Sequence, residues 1–284
     1  MVVLIIKEKI MKNSIKFSIG LATVTLATLA VAPLSVNAAS SKTVTVGVVG
    51  DTSRELWQDI GQRAQKKYGI TIKLKEFNDY VKPNQALVDG SLDLNAFQTK
   101  IFFDDQNKKM GNKLQSIGKT VIVPMRLYSL KADKISEIKK GSTIAVPNDA
   151  TNEARALNVL VQAKLIKYNK QVTDPTAKDI TYNPKNLKIK EVDAGQAVSS
   201  LQTADAAVIN GNFAHDANLK DKNILLTQNL KKNVSPYINL IAARKSEANK
   251  KVYKQIVKLY QTKETKAEIK KLFGNSQYAA WNLK

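Results

Sequence analysis

The chain has 284 residues, of which 43% are hydrophobic and 24% are charged, and this composition excludes a disordered or collagen-like protein. It has no cysteine and one histidine, His215, which excludes disulfide bonds, thiolate nucleophiles and cysteine-based zinc sites. The net charge of +21 makes nucleic acid a candidate partner, but the basic residues are spread along the chain and form no nucleic-acid-binding motif. We therefore expect no nucleic acid partner.

The N-terminal segment has the three-part pattern of a secretory signal peptide. Basic residues at 12 and 16 lead into an apolar run over 17–34, and residues 36–38 provide a small-residue cleavage site. We predict a signal peptide over 1–38, with Met11 as the true start, and an uncleaved membrane anchor is the alternative. Cleavage removes four lysines and one glutamate, so the charge falls from +21 to +18.

From residue 42, short β-branched runs alternate with helical patterns, which is typical of α/β units around largely parallel sheets. The first cycle predicts strands at 43–49 and 70–74, a third strand or a turn at 91–94, helices at 53–67, 83–88 and 100–110, and an extended run at 121–130. The second predicts strands at 142–146, 187–190 and 206–209, helices at 152–165 and 195–201, and an irregular stretch at 174–186. A strand at 237–242 and helices at 246–260 and 263–273 complete the chain.

Two similar α/β cycles joined by extended segments predict two lobes, with a single open sheet as the alternative. Residues 42–126 together with 235–284 form the predicted first lobe, and 127–234 form the second. The chain is expected to cross between the lobes at 124–129 and to return at 235–239. This arrangement predicts a ligand cleft between the lobes, where loops from both cycles meet.

Polar and aromatic side chains are concentrated after several predicted strands, where an open α/β sheet presents its ligand-facing edge. Tyr80 and Phe97 are candidates to line a pocket, and packing in a turn or in the core is the alternative. Asn210 ends a predicted strand, and Asn239 lies in the returning crossover. A buried amide must find a partner, which is either the ligand or the backbone.

Arg155 lies in the first turn of the helix that follows residues 147–149. Asp149 or Thr151 can cap this helix, and the free backbone N–H groups beside the arginine suit an anion. A cation at this end of a helix opposes the helix dipole, so we expect a bound carboxylate or an acidic partner nearby. The alternative is an exposed arginine paired with Glu153 or with solvent.

In order along the chain, these segments resemble the motifs of the NlpA/MetQ family, the substrate-binding proteins of methionine ABC importers. The resemblance runs from about residue 42 to residue 281 with short gaps. The matching segments are FNDY at 77–80, NQAL at 84–87, DLNAFQ at 93–98, AVPND at 145–149, TN at 151–152 with Arg155, NPKNLKI at 183–189, AVIN at 207–210 and SPYINLI at 235–241.

The resemblance implies a bilobed, periplasmic-binding-protein-like α/β fold, with two lobes joined by crossover strands that close on a ligand in the cleft. It implies that Tyr80 and Phe97 form aromatic walls and that Arg155 binds the α-carboxylate of an amino acid. It further implies that Asn152, Asn210 and Asn239 bind the ligand's backbone polar groups. The implied partners are a small amino acid or dipeptide, and an ABC permease with its ATPase.

Three positions depart from the family's usual pattern. Thr99 stands where the family usually has histidine, and Phe102 and Phe213 stand where it usually has tyrosine. Thr99 and Phe102 are therefore predicted ligand contacts of altered polarity. We expect methionine or a related small amino acid or short peptide as the ligand.

The family usually has a lipid-modified cysteine at the mature N-terminus, and this chain has no cysteine. We therefore expect a secreted protein at the cell surface that is not lipid-anchored through Cys, and we hypothesise that its positive charge holds it near anionic wall polymers. We expect a monomer with no catalytic residues, no cofactor and no metal. The alternative function is a secreted, basic cell-wall-binding or adhesion module that uses the same fold.

Overall fold

The computed structural model describes residues 42–169, 171–230 and 234–283, and the predicted signal peptide lies outside them. The α-helices are α1 (Arg54–Tyr68), α2 (Lys82–Val88), α3 (Lys100–Lys109), α4 (Ala150–Gln162), α5 (Gly211–Asp216), α6 (Lys251–Tyr260) and α7 (Lys263–Phe273). The strands are β1 (Lys42–Val49), β2 (Ile70–Phe77), β3 (Leu94–Thr99), β4 (Leu114–Ile122), β5 (Arg126–Tyr128), β6 (Thr143–Pro147), β7 (Lys167–Tyr168), β8 (Ile180–Tyr182), β9 (Lys188–Val192), β10 (Ala206–Ile209), β11 (Ile224–Thr227), β12 (Ile238–Arg244) and β13 (Tyr278–Ala279). In the ranges described, no helix is both long and apolar enough to span a membrane.

The strands form two separate main sheets, so the single-sheet alternative is wrong. The first sheet has the order β13-β4-β12-β3-β1-β2, and the second has the order β11-β5-β10-β6-β9. In the first, β2, β1 and β3 are mutually parallel, and in the second β9, β6 and β10 are. The remaining strands pair antiparallel, so the sheets are mixed rather than largely parallel.

The chain passes between the sheets at two places. Residues 123–125 lead out from β4 to β5, and the chain between β11 and β12 leads back. We call the first sheet with α1, α2, α3, α6 and α7 the first lobe, and the second sheet with α4 and α5 the second lobe. Residue 126 already pairs in the second sheet, and the predicted boundaries, 42–126 with 235–284 and 127–234, stay a prediction.

Each lobe has its own apolar core because its helices cover the faces of its sheet. On one face of the first sheet, Leu56, Trp57 and Ile60 of α1 pack with residues of β1, α6 and α7. Trp281 packs against the edge of the same cluster, so both tryptophans serve as packing residues. In the second lobe, the apolar face of α4 packs on β5, β6 and β10. The spacing of the sequence predicts an apolar stripe of Leu56, Ile60, Ala64 and Tyr68 on this helix; the first three are buried, and Tyr68 is partly buried.

One segment that the sequence places in a loop is a central strand. The sequence predicts a strand or turn at 91–94, whereas β3 runs from Leu94 to Thr99 and holds Asn95, Phe97 and Gln98. Buried amides are unusual in a central strand, but these ones bond to Asn84 of α2, and only the Oδ1 of Asn95 has no partner among their side-chain atoms. Asn84 Nδ2 donates to Gln98 Oε1 at 2.7 Å, and Gln98 Nε2 and Asn95 Nδ2 both donate to Asn84 Oδ1.

Other differences concern the bounds and types of elements. The extended run predicted at 121–130 contains the end of β4, which begins at Leu114, and β5. The helix predicted at 195–201 is two short 3-10 helices, and the helix predicted to begin at 246 begins at Lys251. The stretch predicted to be irregular at 174–186 contains β8, which pairs with β7.

The two lobes approach each other closely at Gly195, which follows β9. A Cβ atom at this position would lie 2.7 Å from the carbonyl oxygen of Asn78, which follows β2 in the other lobe. At Gly50 a Cβ would overlap the carboxylate of Asp216 of α5, but this is the flexible end of a side chain, and the positive φ of +73° is the stronger reason for glycine there. Glycine at 195 therefore allows the lobes to approach as closely as they do.

We expect Gly195→Ala to hold the lobes apart, because two connections between lobes yield more easily than a packed core. The ligand-free variant should have a larger radius of gyration by small-angle X-ray scattering than the unsubstituted protein. Gly61→Ala in α1 is the matched control, since its Cβ would make an ordinary contact of 3.7 Å with Ile72. The interpretation is wrong if both variants give the same radius of gyration.

Candidate ligand-binding site

The carboxyl ends of the parallel strands of both sheets point towards one cavity. Tyr80 follows β2, Thr99 ends β3, Asn210 follows β10, and Asn152 and Arg155 lie on α4 directly after β6. The cavity encloses ≈ 700 Å³ of space that no protein atom occupies, part of it open to solvent. All eight residues predicted for the site line it: Tyr80, Phe97, Thr99, Phe102, Asn152, Arg155, Asn210 and Asn239. Their roles as ligand contacts remain a prediction.

Aromatic rings form one side of the cavity. The Tyr80 ring stacks on Phe97 with centroids 5.8 Å apart, meets Phe102 edge-on at 5.8 Å and packs against Phe213 of the second lobe at 5.1 Å. The Tyr80 hydroxyl donates to Asn212 Oδ1 of the second lobe at 2.6 Å, and burial raises its pKa above the ordinary value. The hydroxyl is thus already paired, and the ring belongs to an apolar cluster at the cavity wall.

The three departures from the family pattern fit this apolar wall. Thr99 caps α3, since its Oγ1 accepts from the backbone N–H of Phe102 at 3.4 Å. Phe102 and Phe213 are both buried and pack against Tyr80. Because neither phenylalanine has a hydroxyl, neither leaves a polar group unsatisfied in this wall.

Arg155 is buried, with 3% of its surface exposed, so the alternative of an exposed arginine is wrong. Its Nε and Nη2 both donate to Gln228 Oε1, at 2.9 and 2.7 Å, and Nη2 also donates to the carbonyl oxygen of Val123 at 2.7 Å. Its guanidinium carbon lies 4.8 Å from the centre of the Tyr237 ring. Burial lowers the pKa of Arg155 to about 10.

The expected acidic partner of Arg155 is absent from the part of the chain that the structure describes. No carboxylate of the described residues forms an ion pair with Arg155, and its partners there are neutral oxygens and a ring. Gln228 has no counterpart in the sequence analysis, because it lies 73 positions from Arg155 and in no motif. A buried cation that lines a cavity and lacks a counter-ion is suited to binding an anion.

Asn152 and Asn210 form a pair of amides at the cavity wall. Asn210 Nδ2 donates to Asn152 Oδ1 at 2.9 Å, and Asn152 Nδ2 donates to both carboxylate oxygens of Asp149 at 3.0 Å. Asn210 is 6% exposed, and its Oδ1 has no hydrogen-bond partner among the described residues. Because Asn210 lines the cavity, this buried and unpaired oxygen is suited to accept a hydrogen bond from a ligand's N–H group.

Asn239 of β12 is anchored to the backbone, since its Nδ2 donates to the carbonyl oxygen of Val121 at 3.3 Å. The cavity is also lined by Asn212, Tyr260 and Gln277, which the sequence analysis does not identify. Gln277 and Tyr260 come from the end of the chain, which folds back onto the first sheet. No cluster of three or more acidic or histidine side chains suited to a metal ion occurs in the ranges described.

The sequence matches the model of the NlpA lipoprotein family over residues 44–281. The chain belongs to this family. The recognition of NlpA/MetQ motifs in the sequence is confirmed. One curated relative, named D-methionine-binding lipoprotein MetQ of Salmonella typhi, is 39% identical over 242 residues, which cover 84% of this chain and 88% of that relative.

Solved structures of similar proteins share the fold. A nutrient-binding protein from Burkholderia cenocepacia, described as bound to methionine, is 42% identical with a TM-score of 0.79, covering 84% of this chain and 99% of that one. The substrate-binding protein of a methionine transporter from Streptococcus pneumoniae is 39% identical with a TM-score of 0.79, covering 84% and 96% of the two chains. The predicted bilobed, periplasmic-binding-protein-like α/β fold is confirmed.

The family corrects the predicted location. The sequence analysis expects a secreted surface protein that is not lipid-anchored through Cys, whereas the family and its curated relatives are named lipoproteins. The prediction is wrong because it rests on the absence of one residue type, which is weaker evidence about membrane attachment than the class of the relatives. The hypothesis that charge alone retains the protein depends on the same absence and falls with it.

The unpaired buried charge of Arg155 generates a stability prediction. We expect Arg155→Met to change the free energy of unfolding of the ligand-free protein by no more than about 1 kcal/mol, because removal of a buried cation without a counter-ion offsets the loss of its hydrogen bonds to Gln228 and Val123. Urea unfolding of protein freed of ligand by refolding measures the change.

Arg63→Met is the matched control, because Arg63 has the acidic partner that Arg155 lacks. Its Nη2 pairs with Asp59 Oδ2 at 2.6 Å, and its guanidinium also donates to Leu259, Thr262 and Thr265. This variant should lose stability. An equal loss in both variants would make Arg155 a structural support rather than a residue held ready for an anion.

Proposed function

We propose that this protein is the substrate-binding component of an ABC importer that captures methionine outside the cytoplasmic membrane and delivers it to the permease. The observation that carries the proposal is the Arg155 guanidinium, a buried cation at the cavity wall with no acidic partner among the described residues. An α-carboxylate from a bound ligand supplies the missing charge. The Burkholderia relative is described as bound to methionine and the Streptococcus relative as part of a methionine transporter, which supports the choice of ligand.

The other groups at the cavity complement the rest of an amino acid. The free Asn210 Oδ1 accepts from the α-ammonium group, and Asn152 and Asn239 provide further polar contacts at the same end. The rings of Tyr80 and Phe97, with Phe102 behind them, surround the side chain. Thioether sulfur packs favourably against aromatic rings and needs no hydrogen-bond donor, so the loss of polar groups at 99 and 102 is compatible with methionine.

Transport follows from closure of the lobes. The ligand's charged end is held by Arg155 and Asn210 of the second lobe, while Tyr80 and Phe97 of the first lobe cover its side chain. Bound ligand therefore links the two lobes, and the closed form is the one that the permease and its ATPase recognise. We propose that the protein acts as a monomer in this role.

Binding rather than catalysis fits the chemistry of the cavity. No carboxylate or histidine is among the described residues that line it, so the wall presents no acid and base pair to a bound ligand. The groups present hold charge and shape, which is what a transport protein requires.

A thermal-shift screen tests the function. The protein is unfolded and refolded to remove bound ligand, then heated with each of the twenty L-amino acids, D-methionine and methionine-containing dipeptides. Methionine at a hundredfold excess over its Kd should stabilise the fold by about 2.7 kcal/mol, a shift of several degrees. A shift with a different compound alone would replace methionine as the substrate.

The same screen distinguishes the proposed transport function from the alternative, a basic wall-binding or adhesion module. That function predicts no shift with any small ligand and salt-sensitive binding to anionic wall polymers. Arg155→Ala provides a second test by isothermal titration calorimetry, with an expected loss of about 2 kcal/mol or more in methionine binding. An affinity within twofold of the unsubstituted protein would remove Arg155 from the site.

A further inference from the structure

Asp149 stands directly behind the ligand site without lining it. It is the N-cap of α4, and its Oδ1 accepts from the backbone N–H of Asn152 at 3.0 Å and from the hydroxyl of Thr151 at 3.1 Å. Both of its oxygens also accept from the side-chain Nδ2 of Asn152. An N-cap needs only the backbone bond, so the contact with the Asn152 side chain goes beyond capping.

The charge of Asp149 is not used in an ion pair. No Lys or Arg in the described part of the chain forms a salt bridge with it, although the chain is strongly basic. Burial raises the pKa of the Asp149 carboxyl, and the hydrogen bonds from Asn152 and Thr151 oppose that rise by stabilising the carboxylate. The carboxylate therefore acts on its surroundings mainly through the amides that it accepts from.

An ionised carboxylate can only accept hydrogen bonds, and this fixes the direction of the chain of amides next to it. Asn152 must turn its Nδ2 towards Asp149, which turns its Oδ1 towards Asn210. Asn210 must then donate through Nδ2 to Asn152, which leaves Oδ1 as the unpaired atom of a side chain that lines the cavity. The negative charge of Asp149 thus fixes the orientation of the Asn152 and Asn210 amides, although Asp149 itself does not line the cavity.

We propose that Asp149 is a positioning residue that selects ligands with a free α-ammonium group, by holding the Asn152 and Asn210 amides so that an acceptor oxygen faces the cavity. This inference rests on the proposed function and names a further determinant of its specificity. A neutral polar residue at 149 no longer requires Asn152 to turn its Nδ2 towards it, because an amide or a hydroxyl can both donate and accept. The Asn210 amide is then free to turn its NH₂ group to the cavity, where it opposes an ammonium.

The same arrangement gives the site two charges of opposite sign in separate places. Arg155 lies at the wall as a cation, and Asp149 transmits the influence of an anion through Asn152 to the oxygen of Asn210. A free amino acid is a zwitterion, so its two charged groups match these two places. An N-blocked amino acid has no ammonium and loses the second match.

Asp149→Asn tests the proposal, since asparagine also caps helices well and preserves size. In this variant an NH₂ group takes the place of Oδ2. Two donors, this NH₂ group and the Nδ2 of Asn152, then face each other, which favours reversed orientations of the Asn152 and Asn210 amides. Calorimetric titration at about pH 8 compares methionine with its α-hydroxy analogue, whose hydroxyl can donate or accept. We expect the preference for methionine over the hydroxy analogue to fall by about tenfold or more.

Glu153→Gln is the matched control on the same helix. Glu153 is 4% exposed, its Oε1 accepts from the backbone N–H of Ala177, and it does not line the cavity. Glu153→Gln should leave the ratio of the affinities for methionine and its hydroxy analogue unchanged. Asp149→Ser keeps a capping hydroxyl but removes the charge, and it should lower the ratio as Asp149→Asn does.

The possible outcomes distinguish a failure of the role given to Asp149 from a failure of the proposed amino-acid binding. If the unsubstituted protein binds methionine and the Asp149 variants weaken both ligands by the same factor, Asp149 is only a structural cap and the inference is wrong. If the unsubstituted protein binds neither methionine nor any other amino acid in the thermal-shift screen, the proposed function fails first. A selective loss for methionine in both Asp149 variants, with Glu153→Gln unchanged, supports the proposal.

Discussion

Arg155 brings a positive charge into a region with little water, and such a charge is costly unless something offsets it. Two of its partners come from the connections between the lobes, since Val123 lies in the outgoing connection and Gln228 follows β11 at the start of the returning one. Gln228 also joins the connections to each other, because its Oε1 accepts from the backbone N–H of Met125 and its own N–H donates to the Met125 carbonyl. The buried cation therefore contacts both connections between the lobes. In the proposed function, the ligand's carboxylate binds beside these connections.

The two sheets bring the other ligand groups to the same place by repeating one arrangement. Each has three parallel strands whose carboxyl ends face the cleft, so the residues just after them need little further structure to reach a ligand. The two lobes differ chemically: the first contributes the rings of Tyr80, Phe97 and Phe102, and the second contributes Arg155 and the amide pair of Asn152 and Asn210. In the proposed function, each lobe therefore contacts a different part of the amino acid, and closure of the lobes is coupled to recognition of the whole ligand.

The sequence predicts those parts of this site that are local in the chain. The strand ends, the helix after residue 149 and the motif residues Tyr80, Asn152 and Arg155 are each recognisable within about ten neighbouring residues. Gln228 is different, because only the folded chain brings it to Arg155, and nothing in its own neighbourhood distinguishes it. β3 is misread for a related reason: the partners that make Asn95 and Gln98 acceptable in a strand lie on α2, in another element. Predictions from sequence fail here where a polar residue's partner is far away in the chain.

The chemistry of the site also depends on the direction of its hydrogen bonds, which neither a sequence motif nor the position of a side chain reveals. Asn210 contacts the cavity in either orientation of its amide, but it offers an acceptor in one and a donor in the other. What fixes the choice is the carboxylate of Asp149, which does not reach the cavity, acting through Asn152. A cap is usually counted as a contribution to helix stability alone. Here the same carboxylate determines which end of a dipole faces the ligand, so a residue that stabilises the fold also sets the polarity of the site.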